Sequence, residues 1–190
     1  MYQPGLVIGH EFSGVIEELG GGVEGLRLGD RVMANSVIGC GVCRPCRQGK
    51  ENLCQGSFRL GVSDDGAMAQ WVKVPASRVF NLPDNLGLEE ACLAEPMAIA
   101  LHGVHRSEFW VGNTVVVVGA GTIGLSVLSL LKRGGASKAW VVETNPFRVD
   151  LALRLGADRV FDPSCTNVSS ELSSQTEGKG VDVVFECVGS

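Results

Sequence analysis

The sequence predicts an α/β-plus-β chain: a small barrel-like β domain followed by the first part of a doubly wound parallel sheet. Three observations carry that expectation. Up to residue 85 the apolar residues come in short, glycine-broken runs, with no long helical period. From Thr114 onward strand-like runs alternate with helical stretches, and Val115-Val116-Val117-Val118 is a continuous β-branched run suited to a strand buried on both faces. Between these halves in character, four cysteines fall within fifteen residues and interrupt the β pattern from 40 to 54.

Taken in order, Leu6-Val7-Ile8 reads as a short strand running into Gly9-His10-Glu11, and Val15–Leu19 as the next, stopped by Gly20-Gly21-Gly22. Leu28–Ala34 is a turn and then a strand, and Gly66–Pro75 resumes the β pattern with alternating apolar residues. The composition shifts at Pro83-Asp84-Asn85. A helix begins at Leu88, with Glu89 and Glu90 placed in its first turn against the positive dipole end. Glu95-Pro96 starts a second helix reaching about to His105, because proline is tolerated where a helical N–H would be unpaired anyway. Then come a strand at 115–118, a helix to about Arg133, a strand at 139–142, a helix over about 147–155, a short strand at 159–161, a helix around 167–177 and a strand at 181–185. The expected organisation is residues 1–85 as a β domain with a metal lobe at about 36–60, connecting helices over 86–110, and a nucleotide-binding part over 111–190.

Bulk properties narrow the function classes. The chain has 190 residues, 45 % of them hydrophobic and 19 % charged, enough to bury a real core. A formal charge of −5 without any basic stripe argues against nucleic acid as a partner. No apolar run approaches the roughly 20 residues of a membrane span. The opening Met1-Tyr2-Gln3-Pro4-Gly5 lacks the basic and apolar regions of a signal peptide. A reducing cytoplasm is the expected location. Of seven cysteines, Cys92, Cys165 and Cys187 stand singly and read as ordinary thiols.

The other four, Cys40, Cys43, Cys46 and Cys54, follow the spacing C-x2-C-x2-C-x7-C. Two intervening residues let a tight turn bring successive sulfurs onto one tetrahedral ion. Four thiolates suit zinc in a closed, structural site. Arg44, Arg47 and Lys50 offset the excess negative charge of such a site. The alternatives are two disulfides or four unrelated thiols; nothing else in the chain suggests an oxidising compartment.

A second motif follows the 115–118 strand. Gly119-Ala120-Gly121-Thr122-Ile123-Gly124 opens a helix, and Glu143 ends the next strand about 20 residues on, the context that gives a glycine fingerprint its meaning in a Rossmann unit. Gly119 permits the turn, Gly121 lets backbone approach a pyrophosphate, and Gly124 lets helix and strand pack. The N–H groups at the helix start, over Thr122-Ile123-Gly124, face the phosphates. Glu143 is expected to accept hydrogen bonds from the adenosine ribose and so to favour NAD over NADP; Arg148 nearby keeps NADP open.

Gly9-His10-Glu11 with Gly14, Gly20 and Val23, then Gly29-Asp30-Arg31-Val32, the four cysteines, Glu95-Pro96 and the glycine fingerprint stand in one order. In that order they resemble the zinc-containing medium-chain alcohol dehydrogenases. Glu95-Pro96-Met97-Ala98 resembles the polyol, sorbitol and threonine dehydrogenase branch. The resemblance implies a GroES-like barrel, here incomplete, followed by a partial Rossmann domain. It implies that His10 is a ligand of a catalytic zinc, that Glu11 coordinates or tunes it, and that Glu95 supplies a further ligand directly or through water. The implied reaction is NAD-linked oxidation of a secondary alcohol: a polyol, a sugar alcohol or a hydroxy amino acid. His102 and His105, one helical turn apart, read as packing or surface residues.

One departure stands out. The family's upstream cysteine ligand has no counterpart among the eight residues before Gly9, and the chain ends just after its fourth Rossmann strand. The expectation is therefore a fragment of a longer homo-oligomeric dehydrogenase that retains structural zinc and has at most weak activity alone. Two other readings compete: a zinc-free quinone or enone reductase, against which the four cysteines and His10 argue, and a non-catalytic zinc- and nucleotide-binding module.

Overall fold

In the computed structural model, residues 4–189 are described. Met1–Gln3, part of the opening read above as no signal peptide, and Ser190 lie outside them. The chain divides into two compact units, one ending at Glu95 and the other starting at Pro96.

The first unit holds β1 (Ser13–Val15), β2 (Arg31–Ala34), β3 (Val37–Ile38), the one-turn helix α1 (Arg44–Arg47), β4 (Phe58–Arg59), β5 (Val79–Asn81) and α2 (Leu88–Ala91). Strands β1, β2 and β5 form an antiparallel sheet in that order, with Ser13 opposite Met33 and Met33 opposite Phe80. Strands β3 and β4 pair separately and carry the cysteine loop between them. The strands are shorter than the sequence suggests. β1 stops at Val15, although Ile16 still donates to Asp30 O and accepts from Gly29 N before the chain leaves the sheet.

The apolar stretches at 6–8 and 66–75 are not regular strands. They meet through three backbone bonds, from Gly66 N to Val7 O, Met68 N to Ile8 O and Ala67 N to Gly9 O, at 2.7, 2.9 and 2.9 Å. The reason is a crossing of glycine backbones. Gly9 and Gly61 have φ of +99° and +67°, and a Cβ on Gly61 or Gly66 would run into the Gly9 backbone. Such close approach excludes side chains and breaks the pleat. It also fixes the segment that carries His10.

The second unit is more regular. Helix α3 (Ala94–Arg106) leads into it, followed by β6 (Thr114–Val118), α4 (Thr122–Arg133), β7 (Lys138–Val142), α5 (Pro146–Arg154), β8 (Arg159–Phe161), α6 (Val168–Gln175) and β9 (Val183–Glu186). The four strands are parallel in the order β8-β7-β6-β9. Val115 and Val117 join Leu128, Leu131, Ala139 and Val141 on one face, while Val116 packs with Trp140 and Phe161 on the other. Two buried faces explain the unbroken valine run, and each fully buried valine contributes roughly 1.5–3 kcal/mol. β9 starts two residues later than expected. Asp182 turns back instead, its carboxylate accepting from Thr114 N and Oγ1 at 2.7 and 2.8 Å. β6 lies between β7 and β9, so the chain direction across the sheet reverses beside the C-terminal end of β6, where ligands bind in such folds. Among the described residues, no helix is long and apolar enough to cross a membrane.

Candidate functional site

The structure brings together both sets of side chains that the sequence marks as metal donors. The four sulfurs of Cys40, Cys43, Cys46 and Cys54 all lie within 4.8 Å of one another. The loop is built for this. Pro45 sits in the first turn of α1, Gly41 and Gly49 take φ of +76° and +71°, and Cys54 closes a 3-10 turn over Glu51–Leu53. Cys43 Sγ lies 3.4 Å from Cys46 Sγ, and Cys40 N donates to Cys54 Sγ at 3.4 Å. All seven cysteines are free thiols, Cys92, Cys165 and Cys187 standing apart from the four.

Two of the four thiols are displaced in opposite directions by their surroundings. The amides of Val42 and Cys43 draw the Cys40 thiol down to about 6. Cys46 is pushed up to about 12, by desolvation first and then by its neighbouring sulfurs. A cation among the sulfurs would offset the repulsion between thiolates held this close. The donor chemistry fits zinc.

Gly39 and Glu51 also belong to this site, though neither falls in a recognisable motif. A Cβ on Gly39 would sit 2.6 Å from Cys46 Sγ. Gly39 N donates to Glu51 Oε2 at 3.3 Å.

The second donor set is His10, Glu11 and Glu95, whose ligand atoms also fall within 4.8 Å of one another. His10 and Glu95 are part-buried and Glu11 is exposed. His10 follows the glycine crossing, and Glu95 lies in the first turn of α3. Burial pushes the Glu95 carboxyl above its ordinary range, the imidazole of His10 pulls it back, and the Glu11 carboxylate raises it again. A cavity of about 290 Å³ beside this set is lined by Ile8, Gly9, His10, Glu11, Ala67 and Met68. His102 and His105 are exposed on α3 and are not in the cluster.

The glycine fingerprint forms the turn between β6 and α4. Gly119 has φ +89°, and a Cβ on Gly124 would collide with Gly119 O, so both positions require glycine. Gly121 faces open space and precedes a helix whose N-terminus no side chain caps among the described residues. The amides around Thr122, Ile123 and Gly124 are thus orphan donors of the kind an anion can satisfy. Glu143 is 8 % exposed and committed to backbone. Its carboxylate accepts from Ala120 N at 2.9 Å, Thr144 N at 2.7 Å and Asn145 N at 2.9 Å, with Arg148 at 3.9 Å. Burial alone would raise its pKa; the three amides and Arg148 outweigh that and hold it below the ordinary carboxylate range. Glu143 therefore braces the fingerprint loop, a role that spacing alone does not reveal.

Comparison with known proteins places these features in context. The family model for the alcohol dehydrogenase GroES-like domain matches residues 1–84, and that for zinc-binding dehydrogenase matches residues 122–190. L-threonine 3-dehydrogenase of Caldanaerobacter subterraneus subsp. tengcongensis is 41 % identical over 188 residues, covering 99 % of this chain and 54 % of that protein. A provisionally assigned zinc-binding dehydrogenase of Sinorhizobium meliloti 1021, solved with NADP, superposes with a TM-score of 0.92 at 34 % identity, covering 100 % of this chain and 56 % of that one. For 2R,3R-butanediol dehydrogenase of Bacillus subtilis the TM-score is 0.85 at 39 % identity, with 97 % and 52 % covered. The chain spans about half the length of the curated relatives it matches.

Proposed function

The chain belongs to the zinc-containing alcohol dehydrogenase family, and from that premise we propose that the protein it comes from is an NAD-linked oxidoreductase of secondary alcohols. The observation that carries this reading is the convergence of His10, Glu11 and Glu95 in a unit that also gathers four cysteine sulfurs. One donor set is closed and all-thiolate, suited to structure. The other is mixed and opens on a cavity, suited to a metal with a position left for substrate.

In this reading Cys40, Cys43, Cys46 and Cys54 hold the structural zinc. His10, Glu11 and Glu95 hold the catalytic one. Bound zinc would supply Lewis acidity, easing deprotonation of a ligated hydroxyl, and a bound nicotinamide would accept hydride. The chain's own residues do the positioning. A cation among His10, Glu11 and Glu95 would compensate two neighbouring carboxylates, one of them raised by burial. Residues Gly121 to Gly124 would take the dinucleotide phosphates on their amides, and Glu143 would keep that loop in shape. Its remaining lone pairs would serve the adenosine ribose. An ionised Glu143 repels a 2′-phosphate, which supports NAD; Arg148, half exposed, is the group that would admit NADP.

The substrate class we propose is a secondary alcohol carrying a second polar group, such as a β-hydroxy amino acid or a vicinal diol, in line with the relatives named for threonine and butanediol. The test is oxidation of such alcohols by the longer protein with NAD and NADP compared. Turnover of a hydroxy amino acid or diol with NAD preferred, abolished by H10A, is expected. Equal activity in H10A would remove the metal reading of His10.

A further inference from the structure

We propose that Glu51 and Arg78 form an ion-pair latch that closes the four-cysteine loop on its cation, as positioning residues for the site rather than ligands. The inference rests on the zinc reading of the four cysteines. Glu51 lies inside the loop, between Cys46 and Cys54, and pairs with the Arg78 guanidinium. Arg78 belongs to the β scaffold, ending a 3-10 turn just before β5. Its carbonyl accepts from Asn35 N at 2.9 Å, immediately after β2. The same Glu51 carboxylate accepts from Gly39 N at 3.3 Å, where the chain enters the loop. One carboxylate thus ties the loop's entry, its exit and the scaffold together.

The contact is close-packed. A Cβ added to Gly39 would meet Cys46 Sγ at 2.6 Å and Glu51 Cβ at 3.0 Å, so Glu51 sits against the residue that backs one of the four sulfurs. The pair is also partly shielded, with side-chain exposures of 23 % for Arg78 and 30 % for Glu51. Arg78 Nε is buried without a partner among the described residues, so the pairing of its terminal nitrogen with Glu51 is what compensates the guanidinium charge. Removing one partner of a partly shielded pair leaves the other charge uncompensated, which costs more than losing an exposed pair. Opening the loop to release metal would have to break this pair, and metal retention is where its loss would register.

The test is metal release from the 190-residue chain loaded with zinc or cobalt(II). E51Q, R78Q, R78K and the double variant E51Q/R78Q are compared with the wild type. The expected result is that every variant forms the wild-type thiolate-to-cobalt charge-transfer band. E51Q and R78Q should then lose metal to a chromophoric chelator about tenfold faster, the rate equivalent of about 1.4 kcal/mol. The double variant should be no faster than either single one, because the two act as one unit. R78K, which keeps the charge, should recover part of the retention. Release at the wild-type rate, effects that multiply in the double variant, or variants that never form the band would overturn the latch while leaving the knuckle standing. A wild-type chain that takes up neither zinc nor cobalt would overturn the knuckle and the latch together.

Discussion

Asp158 joins three parts of the second unit through one carboxylate. It accepts from Ala139 N at 2.8 Å and from Lys132 Nζ at 3.0 Å, with Lys138 at 3.7 Å. Burial raises its pKa, but the amide and the two lysines outweigh that and hold it below the ordinary aspartate range. A carboxyl lowered on folding stabilises fully above its unfolded pKa, and that contribution is lost as pH falls through the folded value. D158N should therefore cost about 1–3 kcal/mol at neutral pH and progressively less in acid below about pH 4, read by urea denaturation at several pH values. Glu143 is the second such residue. An amide has one acceptor oxygen for three backbone donors, so E143Q should destabilise the unit by about 1–3 kcal/mol and weaken NADH binding in a fluorescence titration. Unchanged binding would argue that the fingerprint loop needs no brace. The metal donors were legible as residue types at fixed spacing. Gly39, Glu51 and the Glu143–Ala120 contact were not, because each depends on which backbone atom arrives beside it after folding.

At the scale of elements, the second unit was legible nearly residue by residue and the first was not. A short valine run closed by glycine favours a buried strand over a helix by its β-branching and length, and β6 falls on it. Helix α5, expected over about 147–155, starts at Pro146, because the Asn145 side chain caps it, accepting from Phe147 N and Arg148 N at 3.0 and 3.3 Å. N145A should cost about 1 kcal/mol, measured as a lowered denaturation midpoint with an unchanged slope. In the first unit, strands of two to four residues are set by pairing partners far along the chain, such as β2 with β5. Alternation in Gly66–Pro75 looked like a strand, but the glycine crossing with Gly9 turns it into an irregular segment. The glycines that spoil the strand reading are the ones that bring His10 to its place.

At the scale of the molecule, each of the two compact units carries one candidate part of the chemistry: two sets of candidate metal donors up to Glu95, and the glycine fingerprint turn beyond Pro96. The chain matches about half of each relative's length, so activity is to be tested on the longer protein, while metal loading can be measured on this chain directly. The first measurement is zinc per chain on anaerobically purified protein, with reactive thiols counted before and after chelation. The expected result is tightly held zinc whose removal exposes four additional thiols, with any second, weaker zinc lost in H10A. A chain that holds no zinc, with Cys40, Cys43, Cys46 and Cys54 already reactive or joined as disulfides, would contradict the metal reading on which the proposed function stands.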